Sequence, residues 1–163
     1  MFQHTRLTRG WLTKIWMAVL CLVWASAALA KPPPVVAELI ANAKASVHTI
    51  DVKAFHTLLQ KPDHGLIIDV REPGEYASGH VAGAVNIPRG VIEFRIWQQV
   101  GYPKTAPADV KLTLYCKSSG RAALAAKSLK QLGFAKVTTV DMNIKDWVEA
   151  GYPLTDPEFE GAN

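Results

Sequence analysis

The chain has 163 residues, 49% of them hydrophobic, which suits one domain that buries a core without disulfides or metal. Its 18 Lys and Arg exceed its 14 Asp and Glu, but Arg6, Arg9 and Lys14 fall within the first 30 residues, where there is no acid. The remainder holds 15 basic and 14 acidic residues, so it is near neutral, and no basic stripe argues for nucleic acid.

Residues 1–30 read as a secretory signal. A cationic segment ends at Lys14, the apolar stretch IWMAVLCLVWA follows, and Ala28-Leu29-Ala30 fits the small-x-small cleavage pattern, with the cut before Lys31. The expected location is periplasmic or secreted. The apolar run from Ile15 to Ala30 is short beside the ~20 residues of a membrane span; an uncleaved N-terminal anchor is the alternative. Leu20 stands before Cys21 where a lipoprotein site wants a small residue, and Arg6 and Arg9 are not adjacent, so no twin-arginine signal is present. Cleavage removes Cys21 and leaves Cys116 as the single thiol of the mature chain. An exported protein with one cysteine makes no internal disulfide. That cysteine is either reactive or intermolecular, or it is a small buried hydrophobe.

After the signal, KPPP reads as a stiff extended leader, and VVAELIANAKA as a short amphipathic helix. VHTI is a first strand. Asp51 is placed to cap the helix DVKAFHTLLQ, with Val52, Phe55 and Leu58/Leu59 on one face. LIIDV has the continuous apolar character of a strand buried on both faces. REPGEYASGH holds turn residues and a short helix around Glu75, and AVNI is a further strand closed by Pro88. VIEFRIWQQV is helical, with Ile92, Ile96 and Val100 in one stripe; GYPKTAPAD is loop. KLTLY is strand and RAALAAKSLKQLG is helix, stopped by Gly133. VTTV is the last strand, IKDWVEAG the last helix, and a polar tail follows. The alternation predicts right-handed βαβ units, an α/β fold with helices on both faces of a parallel sheet. The boundaries are signal 1–30, leader with short helix 31–46, domain 47–154 and tail 155–163.

In such sheets ligands bind beyond the carboxyl ends of the strands, and Cys116 stands at one of those ends. Between it and the next helix lies Lys117-Ser118-Ser119-Gly120, then Arg121. A strand-to-helix change within six residues forces a curl, for which Gly120 supplies backbone freedom. A curled loop entering a helix turns N–H groups inward, and with the helix dipole they form an anion cradle. Such a cradle favours the thiolate of a cysteine at its centre and holds an oxyanion substrate beside it. Arg121 either pins the loop or adds a cationic fork, and Lys117 is a second cation. The strand-Cys-x4-Arg-helix pattern fits a phosphatase, an arsenate reductase or a sulfurtransferase.

The stretch IIDVREPGEYASGHVAGAVNIP resembles the rhodanese family signature without gaps from Asp69 to Pro88, and LGFAKV and AGYPL near the C-terminus are also similar to the family. The resemblance spans Val47 to Leu154. It implies a three-layer α/β/α fold with a five-stranded parallel sheet. It also implies sulfur transfer through a persulfide on Cys116, from thiosulfate or a similar small anionic donor to cyanide or a thiol. In that reading Lys117, Ser118, Ser119, Gly120 and Arg121 bind the donor. Asp69, Arg71 and Glu75 brace the loops, and His80 makes a turn hydrogen bond. No cofactor or metal is expected; His48, His56 and His64 show no ligand spacing with each other or with Cys116. The related cell-cycle phosphatases carry a loop one residue longer. Family members without the cysteine act as binding modules, which is the non-enzymatic alternative. Two departures stand out: Ser119-Gly120 where the family often has glycine in fourth place, and Met142-Asn143 where it often has Gly-Gly, with Asn143 expected to take the left-handed backbone. Trp147 reads as core, and Trp97 as pocket wall, core or interface.

Overall fold

The computed structural model describes residues 32–155; the signal, its cleavage site before Lys31 and the tail after Thr155 lie outside them. The helices are α1 (Pro34–Ala45), α2 (Val52–Leu59), α3 (Pro73–Ala77), α4 (Ile92–Gln99), α5 (Gly120–Gln131) and α6 (Ile144–Glu149). The strands are β1 (His48–Ile50), β2 (Leu66–Asp69), β3 (Val85–Asn86), β4 (Lys111–Tyr115) and β5 (Lys136–Val140). They form one five-stranded sheet in the order β1-β5-β4-β2-β3, parallel throughout. This is the α/β architecture that the alternation of apolar strands and helices predicts.

Local chemistry sets several boundaries. Asp51, extended at φ −84°, accepts the Ala54 N–H at 2.7 Å and so starts α2. Past the end of α5, Gly133 takes φ +94°, and the Phe134 N–H returns to the Leu129 carbonyl at 3.1 Å.

Successive strand residues face opposite sides of the sheet and build two cores. Ile68, Leu112, Leu114 and Cys116 pack with Ile92 and Ile96 of α4 and with Ala122, Ala126 and Leu129 of α5. Ile67 and Tyr115 pack on the other side with Phe55 of α2 and Trp147 of α6. Trp147 is core, its ring 5.3 Å from Phe55. Trp97 packs on the first core, 5.5 Å from Phe134 and 5.0 Å from Tyr102, and donates to the Glu93 carbonyl.

The sequence sets α1 apart as leader. In the structure it lies along α5: Ala43 is fully buried and Lys130 Nζ reaches the Ser46 carbonyl at 2.7 Å. Among the described residues no helix is long and apolar enough to cross a membrane.

Candidate active site

The carboxyl ends of β2, β4 and β5 bring Asp69, Cys116 and Asp141 to one end of the sheet. Cys116 is a free thiol, fully buried, on the face covered by α4 and α5. Its loop is stitched down on both flanks. Ser118 forms an isolated antiparallel bridge with Asn143, and the Ile144 N–H donates to the Lys117 carbonyl at 3.2 Å. The Ser118 carbonyl accepts both the Gly120 N–H at 2.8 Å and the Ser119 hydroxyl at 2.7 Å.

The curl is achieved differently from the sequence expectation. Ser119, not Gly120, carries the left-handed backbone, φ +63° and ψ −23°, and it is the one non-glycine residue at positive φ among those described. Ser119 stands where the family often has glycine, and it takes a backbone that glycine adopts freely. Gly120 serves close approach instead. A Cβ there would lie 3.0 Å from Ile40 Cδ1 of α1. The second departure also resolves. Asn143 is extended at φ −88° and ψ 142°, not left-handed, because it caps α6: its side chain accepts from Lys145 N–H, and Asp146 answers with a bond to Asn143 N–H at 2.7 Å. Met142 is buried in the second core, a place a glycine would leave empty.

At the start of α5, no protein acceptor is paired with the amides of Arg121 and Ala122 among the described residues. First-turn amides of this kind suit an anion. Lys117 and Ser118 are exposed, and Ser119 and Gly120 are buried. Arg121 does not offer an open fork. Its two terminal nitrogens grip the Glu75 carboxylate of α3 at 2.6 and 2.9 Å. Of the two roles open to Arg121 from sequence, the geometry is that of a pin.

The Arg121 hydrogen bonds hold Glu75 down to about 2, from an ordinary 4.5, against some opposing desolvation. A depressed carboxylate stabilises the fold above its unfolded value, and that contribution disappears as pH falls from 4.5 toward 2. The pair is a third exposed, so solvent screens it and the effect on stability is small. Melting curves of the native protein and Glu75→Gln should therefore differ most above pH 5 and converge near pH 2. A gap independent of pH would show that the pair does not titrate as described.

Asp69 and Arg71 form a buried pair. Arg71 donates Nε to Asp69 Oδ2 at 2.8 Å, Nη2 to the same oxygen at 2.6 Å, and Nη2 also to the Gly79 carbonyl at 2.7 Å. Asn86 adds side-chain bonds to the Asp69 and Arg71 carbonyls, both at 3.0 Å. Asp69 sits in register with Tyr115, the neighbour of Cys116. Burial first, then the Asp69 charge, pushes the Tyr115 phenol up; its oxygen accepts the Val81 N–H at 3.0 Å. His80 exchanges backbone bonds with Thr155, both at 2.8 Å, stacks on Tyr76 at 3.7 Å, and places Nδ1 3.2 Å from the Tyr76 carbonyl. It holds a turn.

Sequence reasoning missed Asn86, Asp141, Ile40 and Lys44. Asn86 lies inside the quoted signature and offered a signal. The others reach the loop only through tertiary contact. A cleft of about 520 Å³ beside β1 and α2, lined by His48, Lys53, Lys61 and Thr138 among others, holds no thiol. Among the described residues no group of three His, Cys, Asp or Glu side chains is placed to hold a metal ion.

Comparison with known proteins agrees with this fold. The profile of the rhodanese-like domain matches residues 51–150. A sulfurtransferase of Allochromatium vinosum is 29% identical over 69% of this chain and 98% of its own length. The thiosulfate:glutathione sulfurtransferase of Saccharomyces cerevisiae is 30% identical over 53% of this chain and 66% of its own. The solution structure of a homodimeric polysulfide-sulfur transferase from Wolinella succinogenes superposes with a TM-score of 0.58 at 29% identity, covering 73% of this chain and 85% of that one.

Proposed function

The chain belongs to the rhodanese-like domain family, and from that premise we propose that it carries sulfane sulfur as a persulfide on Cys116. The Cys116 thiolate attacks the outer sulfur of thiosulfate or a similar anionic donor; the donor S–S bond breaks, and sulfite leaves with the electron pair. A thiol or cyanide acceptor then attacks the outer sulfur of the persulfide, takes it, and returns Cys116 as thiolate. Attack by a thiolate needs no general base. The amides of Arg121 and Ala122 stabilise the charge of donor and persulfide. Glu75, through Arg121, fixes the helix that carries those amides.

The observation that carries this reading is a free thiol directly ahead of a helix whose Arg121 and Ala122 amides have no protein acceptor among the described residues. Four residues separate Cys116 from Arg121, one fewer than in the cell-cycle phosphatases, which favours a sulfur donor over phosphate. The sulfurtransferase names of the relatives support the same class. Burial of the thiol requires the loop to open for the donor, a local motion of the kind that often limits turnover. That burial also favours the second reading, a module that binds an anion or partner without transfer.

We further assign residues 1–30 to a cleaved signal and the mature chain to the periplasm or medium, on the pattern ending at Ala30. One experiment addresses both assignments. Intact mass of the exported protein is measured before and after thiosulfate, without reductant. A starting mass beginning at Lys31 supports export. A gain of one sulfur atom, lost on adding cyanide, supports the persulfide; an unchanged mass with an alkylatable thiol would leave the binding module as the better account.

A further inference from the structure

The Cys116 loop depends on an element that lies outside both the family signature and the matched residues 51–150. Ile40 of α1 sits against Gly120, its Cδ1 3.0 Å and its Cγ1 and Cγ2 3.6 Å from where a Cβ would stand. Four residues on, one turn along the same helix face, Lys44 Nζ bonds Asp141 Oδ1 at 2.9 Å. Lys44, above all, holds the Asp141 carboxyl below its usual range. The Ile40 contact meets the loop at Gly120, beside Ser119, which bears a left-handed backbone that a non-glycine residue resists, and the Lys44 bond fastens the same helix to Asp141 just past the end of β5. A side chain is held there only when its surroundings over-determine it. The bridge from Ser118 to Asn143 fixes the loop from the other side.

We propose that Ile40 and Lys44 make α1 the positioning helix of the Cys116 loop, holding Ser119 left-handed and thereby keeping the thiol covered. The proposal rests on the Cys116 reading for its consequence in sulfur transfer, but its geometry stands without it. When α1 lets go, Ser119 relaxes, the loop opens, and Cys116 meets solvent. A glycine at position 119 adopts the same backbone unaided, so it should make the loop independent of α1.

The test reads the thiol with a small neutral alkylating reagent, with no sulfur donor present. Ile40→Ala combined with Lys44→Gln should accelerate alkylation of Cys116 about tenfold, the order set by the cost of left-handed backbone in a non-glycine residue. Lys44→Gln alone, a partly exposed position that leaves the core untouched, should shift the rate in the same direction, and Lys44→Arg should restore it. Adding Ser119→Gly to the double variant should return the rate toward that of the native chain. General destabilisation would also expose the thiol, so urea denaturation of each variant is measured alongside, and acceleration that merely tracks lost global stability would count against the proposal. Rates within twofold of native in both variants would overturn the proposal, as would acceleration that Ser119→Gly leaves in place. Should alkylation follow the expected pattern while the native protein takes no sulfur from thiosulfate, the positioning helix stands and the transfer reading falls.

Discussion

Replacing Cys116 by serine is expected to lower sulfur transfer by at least about a thousandfold, because the hydroxyl neither ionises nor carries a sulfane sulfur as the thiolate does. The fold should survive the change, but not without cost. Cys116 is fully buried among Leu112, Leu114 and the alanines of α5. A hydroxyl placed there without a partner costs about 1–3 kcal/mol. Cys116→Ala carries no such polar penalty and is the cleaner control. Both variants should give the same null in a cyanide assay with thiosulfate, while their melting temperatures differ from each other. Turnover retained in either variant would remove Cys116 from the mechanism. Loss of activity in serine alone, with alanine active, would trace the defect to packing.

How far these features are legible in the sequence varies with the range of the contacts. KLTLY ends where β4 ends, since five β-type residues between a loop and a cysteine leave little choice. The stretch from Asp69 to Pro88 is dense enough to imply the fold by resemblance, and the five-stranded parallel sheet agrees. The residue that takes the left-handed turn was not legible. Gly120 has the intrinsic freedom, but Ile40 and the Ser118–Asn143 bridge decide, and they come from 80 residues upstream and 25 downstream. α1 offered only a weak signal. Val35, Val36 and Leu39 are as apolar as Ile40 and yet exposed, so no single stripe marks the buried face. Asn143 could have been read better: Asn143 and Asp146 are the ends of a capping box, and that local pattern outweighs the analogy with glycine. The Arg121–Glu75 grip spans 46 residues and follows from nothing local.

The largest stability effect should come from Asp69→Asn. Arg71 is 4% exposed and Asp69 not at all, so the pair is held out of water. The Asp69 carboxylate accepts from the Arg71 backbone N–H at 2.9 Å as well as from its guanidinium, and removing its charge leaves a buried cation with the neutral Gly79 carbonyl and the Tyr115 ring beside it. Breaking one side of a buried pair costs about 3–5 kcal/mol. That is a large part of the ~5–15 kcal/mol by which a domain is stable. At a few degrees per kcal/mol for a domain of this size, the melting temperature should fall by about 10–20 °C. The double variant Asp69→Leu with Arg71→Met should cost less than Asp69→Asn alone, because it strands no charge. Sulfur transfer should fall in both, since Asp69 is in register with Tyr115 and Asn86 ties the Asp69 and Arg71 carbonyls together beside the thiol's strand. Denaturation of the three proteins in urea decides the matter. If Asp69→Asn costs under about 1 kcal/mol, the range of a solvated surface pair, then water reaches the pair and its bracing role is lost.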